Sequence, residues 1–285
     1  MKTIDKEVLA AYNAGIERNR LRTGLGLIEF ERTKEILLEK LPPPPAVIYD
    51  IGGGYGEYAY FLAALGYEVY LYDLSEKNIA MAREMEGQLP AGLKAAEVAD
   101  AREIDRPDGS GDAVLLLGPL YHITEYGERQ AALKECLRLL KPGGLLAAAA
   151  ITRYATTLWA VTSYGENGYL DEPEFCEMLE HEIKTGHHIK NPKSRYKGMG
   201  RSYFHLPDEF KEEIDASGFT DTEVLGVIGP CWLVPGLDTH WRDLEKRESL
   251  LAIVRLLEKE KSLLGLSTHL LSVSKKGVGY KILKR

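Results

Sequence analysis

Cysteine is scarce in this 285-residue chain: Cys136, Cys176 and Cys231 stand far apart and are odd in number. Such a set supports neither a disulfide framework nor a paired-cysteine zinc motif, so no metal site is expected and a cytoplasmic location is. Long apolar runs are missing too. None approaches the roughly 20 residues that span a bilayer, and residues 1–7 lack the apolar core of a signal peptide, so neither membrane insertion nor export is expected. Positive charge is in deficit, with 36 Lys and Arg against 43 Asp and Glu and a net charge of −7. That balance argues against broad attachment to nucleic acid or to an anionic membrane. No internal repeat occurs, and the only low-complexity stretch is the run of prolines at 42–45. The expected partner is therefore a small molecule.

What the chain has is alternation. Helical spacing covers residues 6–20 and 27–41, split by Gly24 and Gly26, and the proline run then forms a stiff connector. These 45 residues precede a main domain over 46–285, which opens with a strand (46–51), a helix (56–65), a strand (68–72) and a helix capped by Ser75. Strands at 93–99 and 113–117, a helix at 128–140 and a strand at 145–151 continue the series, the last after the Lys141-Pro142-Gly143-Gly144 turn. Nearly unbroken apolar strands are buried on both faces, which implies a doubly wound α/β fold with a mainly parallel sheet. Alternation lapses over 153–201, too long for a structureless loop, so an inserted helical cap is expected there. It resumes with a short helix from Pro207 closed by Gly218, a strand at 222–227, a helix at 238–259 and a last strand at 268–274.

Chemistry concentrates at Asp50-Ile51-Gly52-Gly53-Gly54-Tyr55-Gly56-Glu57, where a strand ends, glycines crowd a turn and a helix starts. Glycines let backbone approach a ligand closely, and the helix N-terminus offers free N–H groups. Asp73 lies 21 positions beyond Gly52 at the end of the next strand, the place from which a carboxylate reaches ribose hydroxyls. Gly54 to Ala59 also satisfies G-x-G-x-x-A, so the glycines alone admit a nicotinamide dinucleotide. Asp50 separates the two readings, because it would repel pyrophosphate but pair with the ammonium of a methionine moiety.

With Asp50, Gly52, Gly54 and Gly56 matching D-x-G-x-G-x-G, the sequence resembles the class I S-adenosylmethionine-dependent methyltransferases. Asp112 to Gly118 and the Leu140 to Gly144 turn carry the resemblance on to Ile151. It implies a Rossmann-like, seven-stranded sheet whose last strand is antiparallel, with S-adenosylmethionine held by Asp50, Gly52, Gly53, Gly54, Tyr55, Gly56 and Gly118. It further implies that Asp73 takes the ribose, that Leu74 packs beside the adenine, and that Asp100 with Ala101 takes the adenine amino group. Tyr121 and His122 follow the fourth strand, where the methyl group should face. His122 suits a general base, or equally a packing role. The segment Gly118-Pro119-Leu120-Tyr121-His122 departs from the N-P-P-Y type that acts on nucleic-acid bases and glutamine side chains, which favours a small-molecule acceptor.

The cap is aromatic in its first half (Trp159, Tyr164, Tyr169, Phe175) and basic in its second (Lys190, Lys193, Arg195, Lys197, Arg201). Two accounts of it stand: a lid over an anionic acceptor, or a satellite core beside a solvated loop. Tyr12, Arg18 and Arg32 are further candidates for closing over the cofactor, or for ion pairs. Three function classes are consistent with these residues: a small-molecule methyltransferase, a non-catalytic S-adenosylmethionine-binding protein, and a nicotinamide-dependent oxidoreductase.

Overall fold

A computed structural model describes residues 19–86 and 91–278; the helix expected at 6–20, with Tyr12 and Arg18, falls almost wholly outside them. Helix α1 (Leu25–Lys40) is followed by β1 (Val47–Ile51), α2 (Glu57–Ala64), β2 (Glu68–Asp73), α3 (Glu76–Met85) and β3 (Ala95–Val98). Then come β4 (Gly111–Leu116), the single turn α4 (Pro119–His122), α5 (Tyr126–Leu139) and β5 (Leu140–Ile151). The seven-stranded sheet runs β3-β2-β1-β4-β5-β9-β8, with β8 at Phe219–Gly226 and β9 at His269–Lys276. Strands β1 to β5 pair in parallel, whereas β9 is antiparallel to both β5 and β8, as the resemblance implies.

Burial explains the unbroken apolar strands. Ile48, Ala113, Leu115 and Ala147 face a core completed by α1, α2 and α3, while Tyr49, Val114, Leu116 and Ala148 face the opposite core against α5 and the later helix α9 (Pro207–Ala216). Ser75 caps α3 as expected, its hydroxyl accepting from the Asn78 N–H at 3.2 Å. Three boundaries differ from the sequence expectation. The turn at 141–144 is absorbed into the start of a 12-residue β5, with a register shift opposite Gly111 and Ala113. The helix expected at 238–259 is two helices, α10 (Leu237–Trp241) and α11 (Leu244–Leu257), because the Asp243 carboxylate accepts from the N–H groups of Glu245 and Lys246 and starts a new helix. The cap is helical over α6 (Ala155–Thr162), α7 (Tyr164–Asn167) and α8 (Pro173–Thr185) but closes with a two-stranded ribbon, β6 (His187–His188) and β7 (Ser202–Tyr203).

The ribbon matters for the site. Met199 and Phe204, on either side of β7, pack on Tyr121 and Ile151, so the cap stands directly behind α4. A fully buried ion pair reinforces this edge. Arg129 donates to both Glu213 oxygens (2.7 and 3.0 Å) and to the carbonyls of Ile123 and Thr124, with its guanidinium 3.8 Å over the Tyr203 ring. One side chain thus ties α5, α9, the cap ribbon and the chain leaving α4. Among the described residues no helix is long and apolar enough to cross a membrane.

Candidate cofactor site

In an open α/β sheet, ligands settle at the carboxyl ends of the strands where strand order reverses, here between β1 and β4. The glycine turn leaves β1 at that point and Gly118 leaves β4 beside it. The two turns touch closely: a Cβ on Gly52 would lie 2.4 Å from Pro119, and one on Gly118 would lie 3.1 Å from the Gly52 carbonyl oxygen. Gly52 and Gly54 both have positive φ, at 72° and 61°. Nothing lies within 4 Å of where a Gly54 Cβ would be, so this turn opens onto space and does not pack on protein.

That space is a cleft of about 540 Å³, open mouth included, lined by Asp50, Gly52, Gly53, Gly54, Tyr55, Gly118 and Tyr121 among the residues expected at the site. Arg20, Leu21, Glu57, Tyr58 and Leu117 complete it. Asp50 is fully buried on its floor, and neither carboxylate oxygen has a hydrogen-bond partner. Burial, and the nearby charge of Asp73, push the Asp50 carboxyl up to about 7, with only a weak opposing pull from the Ala59 N–H at the start of α2. A buried carboxylate with no donor is costly, and a cation entering the cleft would relieve it.

Asp73 sits at the end of β2 but serves the turn as well. One oxygen accepts from the Gly54 N–H (2.8 Å), and the other from the Ser75 N–H (2.8 Å) and the Asn78 amide (3.1 Å). Gly56, with φ 93°, packs against Leu71 and Tyr60 and shapes the start of α2 without lining the cleft. Leu74 is partly exposed just past β2, and Ala101 packs on the sheet core. Asp100 is engaged by Arg102, which donates to it through the backbone N–H, Nε and Nη2 at 2.9, 2.8 and 2.5 Å and also reaches Glu128. Its position past β3 is the expected one, but its carboxylate is already committed to a cation two residues away.

Tyr121 is buried, with its hydroxyl 3.3 Å from the Leu117 carbonyl and its ring edge-on to His122 at 4.6 Å. His122 ends α4 outside the cleft lining. Arg32, a candidate for closing over the cofactor, is spent on buried bonds to Glu258 (2.6 and 2.9 Å) and on Glu35. The cap aromatics Trp159, Tyr169 and Phe175 close on Tyr196 at 5.3–5.8 Å as a satellite core. Part of the basic half meets acids: Arg195 pairs with Glu172, Arg201 with Glu125, and buried His188 with Glu182. No group of three potential metal ligands occurs among the described residues.

Sequence reasoning missed Arg20. It lines the cleft and donates to both oxygens of the buried Glu29, at 2.7 and 3.1 Å. The short turn at Arg20–Arg22 is anchored to the glycine loop by the Tyr55 hydroxyl, which accepts from the Asn19 N–H, and by Arg22 on Glu57. Contacts spanning 36 positions leave no local pattern to read.

Residues 49–148, which hold β1 to β5 and both turns, match the family described as a methyltransferase domain. The fold agrees: over 86% of this chain and 98% of its own, an S-adenosylmethionine-dependent methyltransferase from Methanosarcina mazei superposes with a TM-score of 0.56 at 19% identity. The chain carries a class I methyltransferase domain. Its cofactor type is S-adenosylmethionine. Two curated relatives align with this methyltransferase domain. A ubiquinone biosynthesis O-methyltransferase of Caulobacter vibrioides is 36% identical over 110 residues, 37% of this chain and 41% of the relative. A tRNA (carboxymethyluridine(34)-5-O)-methyltransferase of Macaca fascicularis is 33% identical over 107 residues, 37% of this chain and 14% of the relative. The chain thus spans about two fifths or less of these curated relatives.

Proposed function

We propose that the protein transfers the methyl group of S-adenosylmethionine to a small-molecule acceptor. The observation that carries this reading is Asp50: a fully buried carboxylate without a donor, on the floor of a cleft whose glycine turn opens onto space. The ammonium of the methionine moiety supplies the missing donor, and Arg20 at the same end suits its carboxylate. Nicotinamide dinucleotides lack that ammonium and would bring pyrophosphate toward Asp50. Asp73 holds the turn and offers the ribose an oxygen; Tyr55, Gly118 and Tyr121 line the remainder. Asp100 reaches an adenine amino group only by sharing its oxygens with Arg102.

The bound cofactor supplies an electrophilic methyl carbon, to which the acceptor's lone pair bonds while the C–S electron pair returns to sulfur. The chain's own residues bind, orient and exclude water. Tyr121 walls the cleft beside Gly118, and Met199 of the cap, with Phe204, fixes it from behind. Through that contact residues 153–201 influence which acceptors fit. His122 edges Tyr121 from outside the cleft, which favours its packing role over that of a base. The net charge of −7 and the absence of an N-P-P-Y segment favour a small molecule over nucleic acid. Incubation with methyl-labelled S-adenosylmethionine and a panel of small hydroxyl, amine and thiol compounds tests the reading. Label should appear in a small product, with S-adenosylhomocysteine formed in equal amount; binding of both adenosyl ligands with no transfer to any class would favour a non-catalytic binding protein.

A further inference from the structure

Beside the cofactor cleft lies a second, smaller cavity of about 220 Å³, and the two share Tyr58 and Leu117 as a common wall. Its lining is sharply divided. Leu117, Ala149, Val227, Leu270 and Leu271 make an apolar slot, while Glu29, Thr33, Tyr58 and His269 gather at one polar edge. The volume falls below the roughly 300–1,000 Å³ of sites for drug-sized ligands, so its occupant is compact.

The polar edge is built, not incidental. His269 is the first residue of β9, opposite Ile151 of β5, and its carbonyl accepts from the Val227 N–H (3.2 Å) and the Ser267 hydroxyl (2.6 Å), which fixes the backbone from two sides. Its Nδ1 lies 3.6 Å from Glu29 Oε2, and the same carboxylate is bridged by Arg20, a residue of the cofactor cleft. Burial would raise the Glu29 carboxyl, but Arg20 and His269 outweigh it and hold it below the usual range. Glu29 therefore stays charged beside the imidazole. Tyr121 meets His269 edge-on at 6.4 Å, so one ring touches both compartments.

We propose that this cavity is the acceptor subsite, that it takes a compact, neutral aromatic hydroxyl compound, and that His269 is the base receiving the hydroxyl proton. The proposal rests on the methyl-transfer reading above. The apolar slot receives the ring, and Glu29 disfavours an acceptor with its own carboxylate. As the O–H bond breaks, its electron pair stays on oxygen and the proton bonds to His269 Nε2, while Nδ1 faces Glu29. The resulting imidazolium is offset by that carboxylate, an arrangement that orients the base and stabilises its charged form. Tyr58, whose hydroxyl is pushed well above its ordinary value by burial and by Glu29, remains a neutral wall between the two ligands.

The probe is para-nitrophenol, whose ionised form absorbs in the visible, titrated into protein saturated with S-adenosylhomocysteine. Wild type should give a saturable rise in the phenolate band. His269→Gln should keep S-adenosylhomocysteine affinity within about threefold while losing about tenfold or more of the phenolate amplitude, because the proton has no acceptor. Ala149→Leu, which fills the slot, should abolish saturable binding of the probe with the same cofactor affinity. Normal S-adenosylhomocysteine binding with no probe binding in wild type, or an unchanged phenolate amplitude in His269→Gln, or unchanged probe binding in Ala149→Leu, would overturn the acceptor assignment alone. Failure of wild type to bind S-adenosylhomocysteine would overturn the cofactor reading, and this proposal with it.

Discussion

Replacing Asp50 by asparagine should make the ligand-free protein more stable at neutral and alkaline pH while removing its affinity for the cofactor. The Asp50 carboxyl is fully buried without a donor, and its acidity moves from 3.8 to about 7. A carboxyl whose value is higher folded than unfolded costs stability on the alkaline side, because the unfolded chain gives up the proton first. Stability is therefore undiminished below about pH 4, falls as pH rises toward 7, and is flat beyond. At about 1.4 kcal/mol per unit, the full penalty is on the order of 4 kcal/mol. The amide of the Asp50→Asn variant does not titrate, so the stability difference between variant and wild type should be a constant offset at acid pH and grow in the variant's favour by about 3–4 kcal/mol toward pH 8. Groups unaffected by the change cancel in this difference. Urea unfolding without ligand, across about pH 4 to 8.5, measures it directly. Saturating S-adenosylhomocysteine should then reverse the order, since only wild type gains binding energy. A difference independent of pH, or one that turns against Asp50→Asn as pH rises, would refute the argument that Asp50 is a strained charge awaiting a cation.

Other expectations follow from the same geometry. Asp73→Ala removes the acceptor for the Gly54 and Ser75 N–H groups as well as for the ribose, so calorimetry should show affinity for S-adenosylhomocysteine falling about tenfold or more. Gly54→Val places a side chain in the open cradle at φ 61°; the backbone strain should cost about 1–2 kcal/mol in chemical denaturation, with cofactor binding lost outright. Arg129→Ala leaves Glu213 buried with a distant His205 at 3.3 Å as its remaining partner, and should destabilise the fold by about 3–5 kcal/mol in urea unfolding. Met199→Ala loosens the cap behind Tyr121, and steady-state kinetics should show a raised acceptor KM with cofactor affinity nearly unchanged.

The parts legible in the sequence are those written locally. Strands β1, β4 and β5 are apolar on both faces because helices cover both sides of a parallel sheet, and the glycine turn with Asp50 and Asp73 is a continuous local signature. Features that depend on distant partners were not legible. Asp243 reads as one polar residue within a helical pattern, yet its side chain ends one helix and caps the next. Asp100 reads as an adenine ligand until Arg102 is seen folded back onto it. Arg20, Glu29 and His269 carry no motif in sequence, and only the packing of α1 over the end of β9 unites them at the wall between two cavities. The cap's division into aromatic and basic halves was visible, but not that the aromatics would close around Tyr196 from the basic half.

The central claim is that the cleft over Asp50 receives an adenosyl ligand bearing an ammonium group. Isothermal titration of the ligand-free protein with S-adenosylmethionine, S-adenosylhomocysteine and NAD tests it most directly. The account predicts saturable single-site heats for both adenosyl ligands, weakening below about pH 7 as Asp50 takes up its proton, and no heat for NAD. Saturable binding of NAD with no heat from either adenosyl ligand would contradict it.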